Sequence, residues 1–233
     1  MSKYLTEIVD ILHRIETEES ENIAKASRMV ADVIRRDGLI FVFGCGHSHL
    51  PGLDAFYRAG GLANVSPMLD ADLMLSDGAV KSGRMEKTSG IAAEIFRRYK
   101  PSSEDMLFVV SVSGKNAVTV ELADIARKQG IGCVGISSSS YFGKGGKLHE
   151  CVDIAIDCKV PYGDACIQMG NIKMGALSTA ASCFILNSCL IKGSATALCE
   201  GTIPPVYWSG NIDGGKEHNA LLEERYFGRI KHL

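Results

Sequence analysis

The sequence lacks the features that would mark a nucleic-acid-binding or membrane-surface protein. Its 25 Lys and Arg residues are balanced by 27 Asp and Glu residues, which gives a formal net charge of −2, and the cations are spread along the chain. Without a basic stripe or polybasic run, binding to nucleic acid or to an anionic membrane is disfavoured. We therefore expect small-molecule or protein partners.

Cysteine spacing gives no support for a metal or disulfide framework. The eight cysteines include no CxxC pair, and Cys133, Cys183 and Cys189 lie within apolar runs. This usage is typical of reduced, buried packing residues in a cytoplasmic protein. A dinucleotide fingerprint would need a third glycine where His49 stands, so NAD is also disfavoured. We expect neither a metal nor a cofactor.

The distribution of basic and apolar residues also gives no sign of a targeting or membrane-spanning segment. The N-terminus lacks the basic-then-apolar order of a signal peptide, and the apolar stretches are interrupted before the length that spans a bilayer. The expected location is therefore the cytoplasm, with no membrane partner.

The hydrophobic pattern alternates between helical and strand periodicity, as in an α/β fold. The first segment, from Lys3 to about Arg36, has helical spacing and predicts one or two helices before the sheet. Further helices are predicted after the first glycine turn and over residues 86–99, 117–129 and 167–191, with strands over 39–43, 63–69, 105–110, 132–136 and 151–156. The predicted fold is a parallel sheet flanked by helices on both faces, with a helical N-terminal extension.

Two strands run directly into short turns that carry glycine and hydroxyl groups. The strand 39–43 enters Gly44–His49, and the strand ending at Val110 enters Ser111–Gly114. Such turns present backbone N–H groups and a helix N-terminus to one small volume, which suits a phosphate. The alternative is that the hydroxyls only cap helix N-termini.

The second turn, the helix and glycine after it, and the strand ending at Ser138 resemble the central signature of SIS (sugar isomerase) domains. The resemblance covers residues 38–198. The stretches 43–49, 56–62 and 209–215 look like an uncharacterised bacterial group of SIS proteins. The resemblance to SIS domains implies a flavodoxin-like three-layer sandwich in a single domain, with helices over 1–37, an α/β core over 38–200 and a tail over 201–233. By similarity, the phosphosugar-binding residues are Gly44, Gly46, Ser48, Ser111, Ser113, Asn116 and Ser138.

Catalysis is harder to predict from the resemblance. The catalytic Glu and His of phosphoheptose isomerases fall on Arg58 and Ala176, although a neighbouring Gln matches Gln168. The N-acetylmuramic acid 6-phosphate etherase has a catalytic Glu in the region of Glu86. Isomerisation and this elimination share α-proton abstraction, so Glu86 could serve either; its plainer interpretation is an acidic residue at a helix start.

Two histidines are candidates to assist ring opening: His47, beside Ser48, and His218, after a glycine-rich turn. The favoured function is an aldose–ketose isomerase acting on an amino-sugar or heptose phosphate. An etherase-type lyase and a non-catalytic phosphosugar sensor remain alternatives. The resemblance also implies a homodimer or homotetramer.

Overall fold

The computed structural model describes residues 2–233, and the chain begins with two helices, as predicted. These are α1 (Lys3–Glu18) and α2 (Ser20–Arg35). The Ser2 hydroxyl accepts a hydrogen bond from Leu5 N at 3.2 Å and so caps α1. The buried side chains of α2 recur every three or four residues, and this apolar stripe faces the sheet.

Five parallel strands form the central sheet: β1 (Ile40–Gly44), β2 (Val65–Met68), β3 (Met106–Val110), β4 (Gly132–Ser137) and β5 (Ile154–Asp157). Their spatial order is β2-β1-β3-β4-β5. This is the flavodoxin-like order, in which chain direction across the sheet reverses between β1 and β3. The carboxyl ends of these two strands therefore frame the expected ligand crevice.

Six further helices follow the first two: α3 (Leu50–Ala55), α4 (Ala79–Met85), α5 (Ile91–Tyr99), α6 (Ala117–Lys128), α7 (Ser178–Cys199) and α8 (Gly215–Tyr226). On one face of the sheet, Val42 and Phe108 pack with side chains of α1, α2 and α7. On the other, Phe41 and Val109 pack with α5, α6 and α8. The predicted three-layer α/β fold is thus confirmed.

The predicted helix over 167–191 is wrong in its first part. Residues of that segment instead form a hairpin of β6 (Ala165–Met169) and β7 (Ile172–Ala176), and α7 starts only at Ser178. Met169 pairs with Ile172 across a two-residue turn, in which Gly170 has a φ of +56°. A Gly-Asn turn of this length favours a hairpin because glycine adopts positive φ without strain.

The predicted helix over 86–99 begins later than expected. It corresponds to α5, which starts at Ile91, and residues 86–90 connect it to α4, which ends at Met85; Gly90 precedes α5 with a φ of +92°. Glu86 therefore follows the end of a helix. Its interpretation as a favourable acidic residue at a helix start is wrong for that reason.

The expectation that all apolar stretches are too short to span a bilayer is wrong for α7. This helix has 22 residues and a mean hydropathy of 1.3, so by length and composition alone it could cross a membrane. Buried helices of a protein core meet the same criteria, and Ala181, Ile185 and Leu186 are fully buried. The apolar, small-residue composition of α7 reflects its close packing against α2, because a Cβ on Gly193 would lie 2.5 Å from a methyl group of Val30.

Candidate functional site

A cavity of about 230 Å³ lies at the carboxyl ends of β1 and β3. Most of the residues predicted for the site line it: His47, Ser48, Glu86, Ser111, Ser113 and Asn116. Its volume is slightly below the range of small-molecule pockets, roughly 300–1,000 Å³. The cavity therefore suits a monosaccharide-sized ligand better than a dinucleotide.

The turn after β1 requires glycine at two positions. A Cβ on Gly44 would lie 2.1 Å from the carbonyl oxygen of Ser48, and Gly46 has a φ of +55°. The buried ring of His49 closes the turn through a hydrogen bond between Nδ1 and the Gly46 carbonyl, and burial lowers its pKa. This compact turn directs Ser48 and the exposed His47 to the cavity.

The turn after β3 is fixed mainly through its backbone. Ser111 N donates to the Ile136 carbonyl at 3.0 Å, and Gly114 N donates to the Ser111 carbonyl at 2.9 Å. The Ser113 hydroxyl accepts only a long bond, 3.4 Å, from Lys115 N. Asn116 precedes α6 in an extended conformation without a side-chain cap bond. These polar groups are thus weakly engaged, which argues against capping as their main role.

Glu86 is held against the first turn of α6 by its backbone. Its N donates to the Ser82 carbonyl at 3.0 Å, and its carbonyl accepts from Val118 N at 3.3 Å. Burial raises the pKa of the half-buried Glu86 carboxyl, while the charge of Lys87 and a hydrogen bond from the Asn116 side chain oppose that rise. A carboxyl with a raised pKa is better suited to accept and return a proton at neutral pH.

Three polar residues that were not predicted also line the cavity: Tyr141, Asp164 and Ser178. One carboxylate oxygen of Asp164 accepts from Leu177 N and Ser178 N, both at 2.9 Å. The other accepts from the Ser178 hydroxyl at 2.6 Å. Asp164 therefore caps α7. It directly precedes β6, and because Ala165 pairs with Ala176, the β6–β7 hairpin brings Asp164 next to Leu177 and Ser178. It was missed because the hairpin was missed.

Ser138 does not belong to this cavity, contrary to the sequence-based expectation. It is buried beyond the end of β4, and its hydroxyl donates to the Val160 carbonyl at 2.5 Å. The same oxygen accepts from Ser140 N at 3.1 Å. This hydroxyl thus fixes the loops after β4 and β5, and Ser138 lines a different, larger cavity.

His218 also lies outside the cavity. It is in α8, where Nε2 is 2.9 Å from the Val206 carbonyl oxygen and the ring stacks on Trp208 with 4.2 Å between centroids. Neither contact brings the imidazole to the phosphate loops of its own chain. Of the two predicted histidines, only His47 lines the cavity.

The positions that match the phosphoheptose isomerase catalytic pair are likewise outside the cavity. Arg58 is exposed and forms an ion pair with Asp54. Ala176 ends β7, and its carbonyl accepts a hydrogen bond from the Tyr4 hydroxyl at 2.8 Å. Neither residue lines the cavity, so any acid–base chemistry here requires other groups.

A larger cavity, of about 470 Å³, lies between α1 and the loops after β4 and β5. Two of its three cations are already paired: Lys159 with Glu18, Glu19 and Asp157, and Arg14 with Glu18. No glycine-rich turn from the sheet opens into it. The larger cavity therefore offers fewer free groups for binding an anion than the smaller cavity does. We assign the site to the smaller cavity.

No group of three or more His, Cys, Asp or Glu side chains suited to a metal ion occurs within residues 2–233. The thiol nearest the site, Cys45, lines the cavity, and burial raises its pKa. All eight cysteines are free thiols. Of those expected to be buried, Cys133 and Cys189 are buried and Cys183 is partly buried.

Comparison with known proteins agrees with this fold. A model of the SIS domain family matches residues 3–138. A UPF0309 protein from Thermoanaerobacter pseudethanolicus is 37% identical over 244 residues, covering 99% of each chain.

Two solved structures illustrate the fold similarity. A phosphoheptose isomerase from Francisella tularensis gives a TM-score of 0.53 at 14% identity, covering 82% of this chain and 94% of its own. The sugar isomerase domain of an RpiR transcription factor from Sphaerobacter thermophilus gives 0.51 at 14% identity, covering 98% of this chain and 97% of its own.

Proposed function

The chain belongs to the SIS domain family, and on that premise we propose that it is a sugar-phosphate isomerase that binds its substrate between the turns after β1 and β3. The observation that carries this proposal is the convergence of Ser48, Ser111, Ser113 and Glu86 on one cavity at the strand-order reversal. This arrangement places hydroxyl donors for a phosphate and a carboxyl that can remove a proton in the same cavity.

In this proposal, the phosphate lies against the Ser111–Gly114 turn. Ser48, Ser111 and Ser113 donate hydroxyl hydrogens to phosphate oxygens, and the open start of α6 adds the positive end of its dipole. Asn116 lines the same end of the cavity and supplies an amide. The remaining carbon chain then extends past Glu86.

Glu86 is the proposed base. Its carboxylate removes the proton from the hydroxyl-bearing carbon next to the substrate carbonyl, which gives an enediolate, and then returns it to the former carbonyl carbon, while a proton moves from the hydroxyl oxygen to the former carbonyl oxygen. His47 lies at the exposed rim of the cavity and is proposed to assist ring opening by exchanging a proton with the sugar oxygens. The raised pKa of Glu86 supports this role because the same group must bind and release the proton.

The experiment is α-proton exchange in deuterated water, followed by NMR over a panel of sugar phosphates. Wild-type protein should exchange the α-proton of at least one compound that raises its melting temperature, and Glu86→Gln should not. Glu94→Gln, at an exposed carboxylate on α5, is the matched control and should exchange normally. Undiminished exchange by Glu86→Gln would remove Glu86 as the base.

A second candidate function is a non-catalytic phosphosugar sensor. It is supported by the displacement of Arg58 and Ala176 from the cavity, which leaves the acid–base positions of the phosphoheptose isomerases without a counterpart. An RpiR transcription factor also carries a sugar isomerase domain of similar fold. Thermal stabilisation by a sugar phosphate without exchange in any compound of the panel would favour the sensor.

We also propose that the protein is cytoplasmic and forms a homodimer or homotetramer. Support for assembly comes from the exposed apolar side chains of α7, Ile191 and Leu198, which are 67% and 57% exposed. Light scattering coupled to size-exclusion chromatography should give a mass of two or four chains. A monomer at micromolar concentration would contradict this assembly.

A further inference from the structure

A second, much smaller cavity lies next to the proposed sugar-phosphate cavity. Its volume is about 10 Å³, and Ser48 and Ser178 line both cavities. Ser182, one turn further along α7, lines only the small one. A volume of roughly 10–15 Å³ is enough for one water molecule, provided that polar groups surround it. The small cavity therefore has the size of a single-water site beside a residue proposed to bind phosphate.

Ser182 supplies a buried polar group without a protein partner. Its side chain is only 2% exposed, and its Oγ has no hydrogen-bond partner among residues 2–233. A serine within a helix can bond to the carbonyl one turn earlier, but Ser182 does not use that option. Because a buried, unpaired hydroxyl is costly, Ser182 points to a ligand in the small cavity.

The direction of the neighbouring hydrogen bonds identifies the ligand. The Ser178 hydroxyl donates its hydrogen to the Asp164 carboxylate at 2.6 Å, so the Ser178 oxygen can only accept a hydrogen bond from the small cavity. In the proposed complex, Ser48 donates its hydrogen to a phosphate oxygen, and its oxygen is likewise left as an acceptor. One water molecule has the two hydrogens that these oxygens require, and it can accept the hydrogen of Ser182.

We infer that one water molecule occupies the small cavity, accepts a hydrogen bond from Ser182 and donates hydrogen bonds to Ser48 and Ser178. Ser182 is then a positioning residue, because it acts on the phosphate only through this water and Ser48. A hydroxyl that accepts a hydrogen bond becomes a better donor, so the water strengthens the bond from Ser48 to phosphate. The role for Ser48 rests on the proposed function, whereas the water site does not.

A high-resolution crystal structure of the ligand-free wild-type protein tests the water site. One water peak should lie within hydrogen-bonding distance of the Ser48, Ser178 and Ser182 hydroxyls. A small cavity without a water peak, with the Ser182 hydroxyl bonded to the Ser178 carbonyl or to nothing, would overturn the inference. A water that contacts Ser182 but not Ser48 would overturn the positioning role.

Titration with inorganic phosphate, followed by phosphorus NMR, tests the effect on binding. Ser182→Ala should raise the Kd by about two- to tenfold, the size of one neutral hydrogen bond. The matched control is Ser27→Ala, at a buried serine of α2 whose hydroxyl donates to the Ile23 carbonyl at 2.6 Å. This control should lower stability and leave the Kd unchanged. Ser182→Cys keeps the side-chain volume but donates weakly, so it replaces Ser182→Ala if that variant does not fold.

A double-mutant cycle separates positioning from a merely structural role. Ser48→Ala should itself raise the Kd for phosphate, and adding Ser182→Ala to it should raise the Kd no further, because the two residues act through one chain of hydrogen bonds. An equal loss from Ser182→Ala in both backgrounds, or an unchanged Kd in Ser182→Ala alone, would overturn the positioning role.

Failure of the proposed function gives a different result. In that case, wild-type protein would not bind phosphate at the Ser111–Gly114 turn, whereas the ligand-free crystal structure would still show the water beside Ser182. The positioning role would then be wrong, and the water site would remain supported.

Discussion

Replacing Ser113 by alanine tests the phosphate end of the site most simply. The hydroxyl makes only a 3.4 Å bond to Lys115 N in the free protein, so its removal should leave the melting temperature without ligand almost unchanged. In the complex, the variant loses a hydrogen bond to a charged group, which is worth about 1.5–3 kcal/mol. Affinity for a sugar phosphate should therefore fall by about 10- to 150-fold.

The same loss of affinity can be measured as a smaller ligand-induced shift of the melting temperature. At a ligand concentration 100 times the wild-type Kd, binding stabilises the wild type by about 2.7 kcal/mol, and the variant by about 0.3–1.4 kcal/mol. Since about 1 kcal/mol moves the melting temperature of a chain of this size by about 2–4 °C, the wild-type shift is about 5–11 °C. In Ser113→Ala the shift should be half of that or less.

The matched control is Ser103→Ala. Ser103 is exposed in the turn before β3, at the opposite edge of the sheet from the cavity, so the same chemical change should leave both affinity and thermal shift unchanged. Calorimetry with the sugar phosphate that gives the largest wild-type shift provides the Kd values. A Ser113→Ala Kd within twofold of wild type would refute the assignment of the phosphate to this turn.

Three further changes separate structural from ligand-binding roles. Ser138→Ala should leave ligand affinity unchanged but lower the free energy of unfolding by about 0.5–1.5 kcal/mol in denaturant titration, because the Val160 carbonyl loses one of its two hydroxyl donors and keeps Ser140; a large affinity loss at unchanged stability would contradict this. Gly44→Ala should cost about 1–3 kcal/mol or more and abolish ligand-induced stabilisation, since its Cβ would lie 2.1 Å from the Ser48 carbonyl; wild-type stability and binding would count against the tight turn. For Glu86, the raised pKa places the acid limb of kcat/KM above the ordinary carboxyl value of 4.5, so the rate should fall as pH falls through that raised pKa and the base becomes protonated; a flat profile down to pH 4.5 would contradict its role as base.

The parallel sheet and its two turns were predictable because their signals are local. Each strand of the sheet is a short, largely apolar run. The turn after β1 needs glycine because of a close backbone approach at Gly44 and a positive φ at Gly46, and both glycines are visible in the sequence. The order of the strands then brings Ser48 and Ser113 to one cavity. For these two residues, the local sequence pattern and the family resemblance predicted the same position in the fold.

The hairpin of β6 and β7 was missed although its signal was present. Apolar residues alternate around Gly170-Asn171, a two-residue turn that favours a hairpin. The apolar sequence of α7 directly after it made one long helix the simpler interpretation. The start of α5 was placed five residues too early, at Glu86, and the short helix α4 before it was not predicted.

The remaining site features depend on contacts between distant parts of the chain. Ser138 follows a strand as the other serines do, but Val160, 22 residues later, engages its hydroxyl. His218 is held by the Val206 carbonyl and Trp208. No local spacing distinguishes Ser138 and His218 from unengaged residues, because their partners are set by the tertiary fold. Asp164 differs, since the β6–β7 hairpin brings it to the start of α7, and it was missed together with that hairpin.

The most direct test of the account is a crystal structure with the sugar phosphate that stabilises the protein most. The phosphate should lie within hydrogen-bonding distance of the Ser111 and Ser113 hydroxyls, with the carbon next to the carbonyl facing Glu86. A ligand bound instead in the larger cavity beside α1, or with its phosphate at the start of α7, would contradict it.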